Sequence, residues 1–188
     1  MDEFSGAAIN WASVRPPVAI SACLLGESVR YDGGHKRGGQ WLAWLGQFVT
    51  WVSVCPEVEL GLGVPREPIE IELVSGEQRL LGVESRRDLT QAMDAFAQRR
   101  ARALMDAGVC GLITKSKSPS CALGSASLIV NGAESGELTS GFFVREVQRA
   151  LPDLPIVEEF ALGSQGARER FLADVRNQYR NLVGVSGA

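Results

Sequence analysis

Apolar residues along this chain follow two rhythms, short unbroken runs and longer stretches at helical spacing. "PPVAISACLLG" is a proline-bounded run whose core, Val18–Ala22, predicts a strand buried on both faces. After the turn-rich "VRYDGGHKRGG", Trp41, Leu45 and Phe48 predict a short amphipathic helix. Trp51–Val54 is a second buried run, broken by Pro56. "IEIELV" alternates charged and apolar positions and can pair with "QRLLGV" across Ser75-Gly76, which predicts a hairpin. Ser85 to Asp88 has the form of a capping box, and Leu89, Met93, Phe96 and Leu104 mark a long helix that stops at Gly108. Val109–Thr114 is the third buried run. "CALGSASLIVNGAESGELTSG" reads as a glycine- and serine-rich excursion around a short apolar piece. Phe143, Val147 and Leu151 mark another helix, "LPIVEEF" a last strand, and Phe171, Val175 and Leu182 a closing helix.

This alternation predicts an α/β protein: a Rossmann-like open parallel sheet with helices on both faces and a small β-hairpin insertion near residues 69–83. Residues 1–16 read as an N-terminal arm, loosely attached or docked through Trp11. Residues 17–184 read as a single α/β domain, and 185–188 as a tail.

Composition narrows the class. The 188 residues are 45% hydrophobic, enough for a full core without disulfide staples. A net charge of -3 argues against general affinity for large nucleic acids or anionic membranes. No apolar stretch approaches the roughly 20 residues that span a bilayer. The acidic start does not read as a signal peptide. The expectation is a cytoplasmic protein with a small-molecule partner; monomer and homodimer both remain open.

Cysteine placement is the most informative feature. Cys23, Cys55 and Cys121 each lie where a buried run gives way to a loop. Parallel strands point one way, so these junctions share the carboxyl edge of the sheet, where ligands bind in open α/β folds. There is no CxxC pair, and His35 is the single histidine. Three converging thiolates suggest a soft metal centre. It is either zinc with an open position or an iron–sulfur cluster with one iron free of protein ligands. Packing alone is the competing explanation, because free cysteines are often buried in strands. Cys110 opens the third run, toward the opposite edge, and reads as a buried structural thiol.

Polar neighbours add chemistry. Glu57 follows Cys55-Pro56, and Ser118 and Ser120 precede Cys121, so groups able to move protons accompany two of the thiols. Glu59 reads as a solvated carboxylate. Asp32 in "RYDGG" reads first as a turn residue and second as a substrate contact. Lys115 and Lys117 are either solvated or placed to meet an anionic part of a substrate. Arg66 either pairs with a carboxylate or faces the pocket. His35 sits in a charged loop, and Trp41, Trp44 and Trp51 fall at core or helix-face positions.

"ISACLLGESVRYDGG", "VCPEVELGLGVPREPIEI" and "TKSKSPSC" occur in this order and resemble three blocks of a bacterial family long carried as a domain of unknown function, which includes the thiouracil desulfidases. The resemblance runs from about Val18 to Glu159. It implies a [4Fe-4S] cluster held by Cys23, Cys55 and Cys121. It also implies non-redox removal of sulfur from a thiolated uracil, with the substrate sulfur bound at the open iron and hydrosulfide released. By motif position, Glu57 and a serine of the SPSC block, Ser118, assist. Ser120, Lys115 and Asp32 are the further candidates for substrate contact. A soft thiocarbonyl sulfur matches a soft iron, and water activated by Glu57 can then attack the polarised carbon. Two departures stand out: "CALG" replaces the more usual glycine directly after the third cysteine, and the N-terminal arm is longer. The rivals are a zinc or cysteine hydrolase with Cys121 as nucleophile, and a non-enzymatic sensor of a cluster or a sulfur-containing metabolite.

Overall fold

A computed structural model describes residues 9–184. Residues 1–8 of the expected arm and the expected tail at 185–188 lie outside the described residues. The chain begins with β1 (Pro17–Ser21), α1 (Ala22–Leu25), α2 (Gln40–Leu45), β2 (Thr50–Val54) and α3 (Pro56–Glu59). It continues through β3 (Ile69–Val74), β4 (Glu77–Gly82), α4 (Thr90–Asp106), β5 (Leu112–Thr114), β6 (Ala126–Val130) and β7 (Ala133–Thr139). It closes with α5 (Phe142–Ala150), β8 (Ile156–Glu158) and α6 (Gln165–Leu182).

β2, β1, β5 and β8 lie side by side in that order, all parallel. Alternate residues of each strand point to opposite faces, so both faces need cover. Val18, Ile20 and Ile113 pack with Trp41 and Leu45 of α2 and Phe171 and Val175 of α6. Ala19 and Leu112 pack on the other side with Met93 and Phe96 of α4 and Phe143 and Val147 of α5. Each fully buried large aliphatic side chain contributes about 1.5–3 kcal/mol, against about 0–1 kcal/mol for an exposed ion pair such as Arg79–Glu77. The two-sided apolar core therefore holds the sheet, and the surface charges do not.

Gly111, just before β5, is required by α6. A Cβ there would lie 2.7 Å from the Val175 side chain and 3.1 Å from the Phe171 ring. Cys110 beside it is fully buried, and its thiol donates to the Gly108 carbonyl at 3.1 Å. Burial pushes this thiol up to about 11 from an ordinary 9.0. In that interval the folded chain keeps a proton that the unfolded chain has lost, so stability falls as pH rises. Urea unfolding of the metal-free chain, compared with Cys110→Ala, should show the wild-type advantage shrinking between about pH 8 and about pH 11.

The hairpin across Ser75-Gly76 forms as expected, with both turn residues at positive φ. It is larger than an insertion, however. The excursion at 121–141 is itself a hairpin, β6 and β7, turning at Asn131-Gly132, again with both residues at positive φ. β3 pairs with β6 in parallel, giving a second four-stranded sheet in the order β4-β3-β6-β7. The Asn-Gly pair is a strong signal for this turn type. Its Ile71, Leu80 and Leu128 join the cluster that covers α4 and α5.

The capping box expected at Ser85–Asp88 does not form. α4 starts at Thr90, whose N–H is taken by the Asp88 carboxylate at 2.8 Å. The Ser85 hydroxyl instead donates to Glu67, which also accepts the N–H groups of Glu84 and Ser85. Trp11 packs edge-on against Tyr179 with ring centroids 5.9 Å apart, and the guanidinium groups of Arg176 and Arg180 lie over its ring. No helix among the described residues is long and apolar enough to cross a membrane.

Candidate metal centre

The carboxyl ends of β1, β2 and β5 are neighbours, and the three cysteines leave from them. Cys23 lies in α1, the short turn after β1. Cys55 is the residue before α3, directly after β2. Cys121 lies within the loop that follows β5, seven residues past its end. All three line one cavity of about 400 Å³, together with Ser21, Arg30, Tyr31, Lys36, Glu57, Arg66, Lys115 and Ser118. Cys110 is not part of its lining.

Burial dominates the thiol chemistry. It pushes Cys23 up to about 11, helped by the nearby Cys55. It raises Cys55, with Glu57 adding to the effect. Cys121 is held well above its ordinary value by burial and then by Glu57; Cys23 and Cys55 push the same way, while the Ser21 hydroxyl beside its sulfur pulls the other way. In the metal-free chain these are three protonated thiols close enough to sense one another. Ligation of a metal would release their protons.

The donor set is soft, all sulfur, and open to a shared cavity. Among the described residues, no three His, Cys, Asp or Glu side chains gather as ligands of a single ion. An all-sulfur donor set suits an iron–sulfur cluster, and three cysteine ligands leave one corner of a cubane without a protein thiol. The residues present therefore fit an iron–sulfur cluster.

Glu57 also lines the cavity and is tightly held. One carboxylate oxygen accepts from Arg66 Nε at 2.9 Å and Nη2 at 2.7 Å. The other accepts from the Ser120 hydroxyl at 3.0 Å. The Arg66 side chain is 5% exposed, and it also donates to the carbonyls of Gly63 and Val29. The alternatives left open for Arg66 thus both hold: it pairs with a carboxylate and lines the pocket.

Glu59 is exposed, as the solvated reading expects, but it has partners. One of its oxygens accepts the Cys55 N–H at 2.9 Å, and the other meets Arg100 Nε at 2.9 Å. It fastens the backbone of a candidate ligand. Ser118 Oγ accepts the N–H groups of Ser120 and Cys121 at 3.3 and 3.1 Å, which leaves its hydroxyl hydrogen to donate. Ser120 is fully buried and reaches the site only through Glu57.

The remaining candidates separate. Lys115 lines the cavity, but its ammonium group is tied to Glu159 and Ser116. Burial pushes Glu159 up, yet the bonds from Lys115 and Ser116 outweigh it and hold the carboxyl below its usual range. Asp32 does not line the cavity: its carboxylate accepts the Gly34 N–H at 2.9 Å, which lowers its pKa, and it lies 3.6 Å from Arg30. His35 is exposed and bonds the Arg37 N–H. Trp41, Trp44 and Trp51 stay out of the lining, whereas Tyr31, which the spacing did not single out, is in it.

One glycine supports the site from behind. A Cβ at Gly141 would lie 2.3 Å from the Ser120 carbonyl carbon and 2.4 Å from its oxygen. These are backbone atoms and cannot swing away. Gly141→Ala should cost about 1–3 kcal/mol as overpacking and displace the Ser120–Cys121 peptide. Thermal melting of the variant, together with its iron content, checks this.

Comparison with known proteins agrees with the geometry. The solved structure of the [4Fe-4S]-dependent thiouracil desulfidase TudS superposes with a TM-score of 0.63 at 32% identity, covering 79% of this chain and 93% of that one. The uncharacterized protein YbbK of Bacillus subtilis (strain 168) is 32% identical over 129 residues, 66% of this chain and 83% of the relative. Residues 18–159, a span that contains all three cavity cysteines and Glu57, match the family model described as 2-thiouracil desulfurase, and the chain belongs to that family.

Proposed function

We propose that this protein removes the sulfur of a small thiolated pyrimidine, replacing C=S by C=O with one water and releasing hydrosulfide. Cys23, Cys55 and Cys121 would hold a [4Fe-4S] cluster as thiolates. When bound, the cluster supplies a soft Lewis acid for the thiocarbonyl sulfur.

The chain's own residues do the rest. Glu57 takes the proton of the attacking water and returns it to a ring nitrogen or to the departing sulfur. Arg66 and Ser120 hold its carboxylate at fixed orientation, so no reorganisation is needed when the substrate arrives. Ser118 donates its free hydroxyl hydrogen to charge developing on the ring; such donors are worth about 2.7–4 kcal/mol in oxyanion sites. No electron is transferred in the overall reaction.

The observation that carries this reading is the meeting of three thiols, from the turns after β1 and β2 and the loop after β5, and one pinned carboxylate around a single cavity. The test is an anaerobic preparation assayed for iron, acid-labile sulfide and hydrosulfide release from 2-thiouracil. Iron with sulfide and steady release supports the proposal. Zinc in a colourless protein would favour the hydrolase. A stable cluster that binds 2-thiouracil without release would make the protein a sensor.

A further inference from the structure

The loop from Lys115 to Ser125 carries both Ser118 and Cys121, and it is fastened at its two ends by adjacent carboxylates at the exit of β8. Glu158 is the last residue of β8, and Glu159 opens the 3-10 turn that follows it. Glu159 faces one flank, accepting from the Ser116 N–H at 2.7 Å, the Ser116 hydroxyl at 2.8 Å and Lys115 Nζ. Glu158 faces the other. A single one of its oxygens accepts the Leu123 N–H at 2.7 Å and the Ser125 hydroxyl at 2.5 Å. Ser125 Oγ in turn accepts the Lys117 N–H at 2.8 Å, which closes the loop across its base.

Two features mark this as more than routine loop packing. Glu158 is 5% exposed and has no ion-pair partner among the described residues, so a buried carboxylate is spent on neutral donors of one loop. Lys117, which Ser125 holds, has a φ of 60°, a left-handed conformation uncommon outside glycine. Such strain persists only where surrounding bonds over-determine it.

We infer that Glu158, acting through Ser125 and Leu123, is a positioning residue that sets the place of the Cys121 thiol at the cavity. The inference rests on the proposed ligand role of Cys121 for its purpose, but its test does not depend on a cluster being present. The full metal-free chain is treated anaerobically with iodoacetamide, and alkylation of each cysteine is followed by mass spectrometry. Glu158→Gln retains the accepting oxygen, and Glu158→Met keeps the bulk without it.

The expected result is a Cys121 rate within about threefold of wild type for Glu158→Gln and raised at least about tenfold for Glu158→Met, with Cys23 and Cys110 changed by less than about twofold. Ser125→Ala breaks the same bridge without touching β8 and should raise Cys121 alone, which keeps the test decisive if Glu158→Met fails to fold. Equal rates in the Gln and Met variants, or a common rise at all cysteines, would overturn the inference. Iron content of the wild-type protein, measured separately, reports on the proposed function: an iron-free wild type with the expected alkylation pattern sinks that function and leaves the positioning role standing.

Discussion

Alanine at any one of Cys23, Cys55 or Cys121 should abolish hydrosulfide release and strip most of the iron from anaerobically prepared protein, while Cys110→Ala keeps both. The asymmetry follows from position. Three of the cysteines line the shared cavity; the fourth, two residues before β5, is buried among Val18, Ile20 and Phe171 and is not part of that lining. A cubane held by three thiolates has no spare protein ligand, so the loss of one leaves two corners unprotected. The folded chain should survive, because each substitution removes a single sulfur atom; metal-free variants should lose no more than about 1–2 kcal/mol of stability. Iron and sulfide analysis beside a melting curve separates loss of ligand from loss of fold. A variant of any of the three that keeps full iron and full rate removes that cysteine from the ligand set.

The second large effect is expected at Glu57. Glu57→Gln should bind iron normally and turn over about 10²–10⁴-fold more slowly, the usual worth of a positioned general base. It also touches stability, and the two consequences need separating. Arg66 is nearly fully buried and loses its counter-charge in this variant. Removing one partner of a buried pair costs about 3–5 kcal/mol, softened here because the amide oxygen can still accept and Val29 and Gly63 still receive the guanidinium. The double variant Glu57→Gln with Arg66→Met removes the stranded charge, so it should regain stability without regaining rate. Rate restored along with stability would show that Glu57 serves the fold and not the proton.

Much of this architecture was legible in the chain. The short apolar runs at Val18 and Trp51 became β1 and a half-buried edge strand β2, and the run from Val109 formed β5 only over Leu112–Thr114. The cysteines at their ends could be placed on one edge because parallel strands allow only one arrangement of their exits. The second sheet was not legible in the same way. β7 is exposed and carries charged and small residues, so its hydrophobic rhythm is weak, and only Asn131-Gly132 announced the turn. Ser85 and Asp88 matched a capping motif, yet Glu67, far away in sequence, claimed the serine. Partners of this kind are set by tertiary packing and leave no local trace. Arg66 shows the same limit: its dual role depends on Glu57 of α3 and Val29 of the loop after α1.

The strand order β2-β1-β5 has a bearing on how the protein is made. Its central member is the first of the described strands to be synthesised, and it waits for a neighbour that emerges about ninety residues later. A nascent chain leaving the ribosome therefore offers only two of the three sulfur donors until most of its length has been translated. Under the proposed function, the cluster site would be complete only once β5 and the loop behind it have emerged and paired with β1.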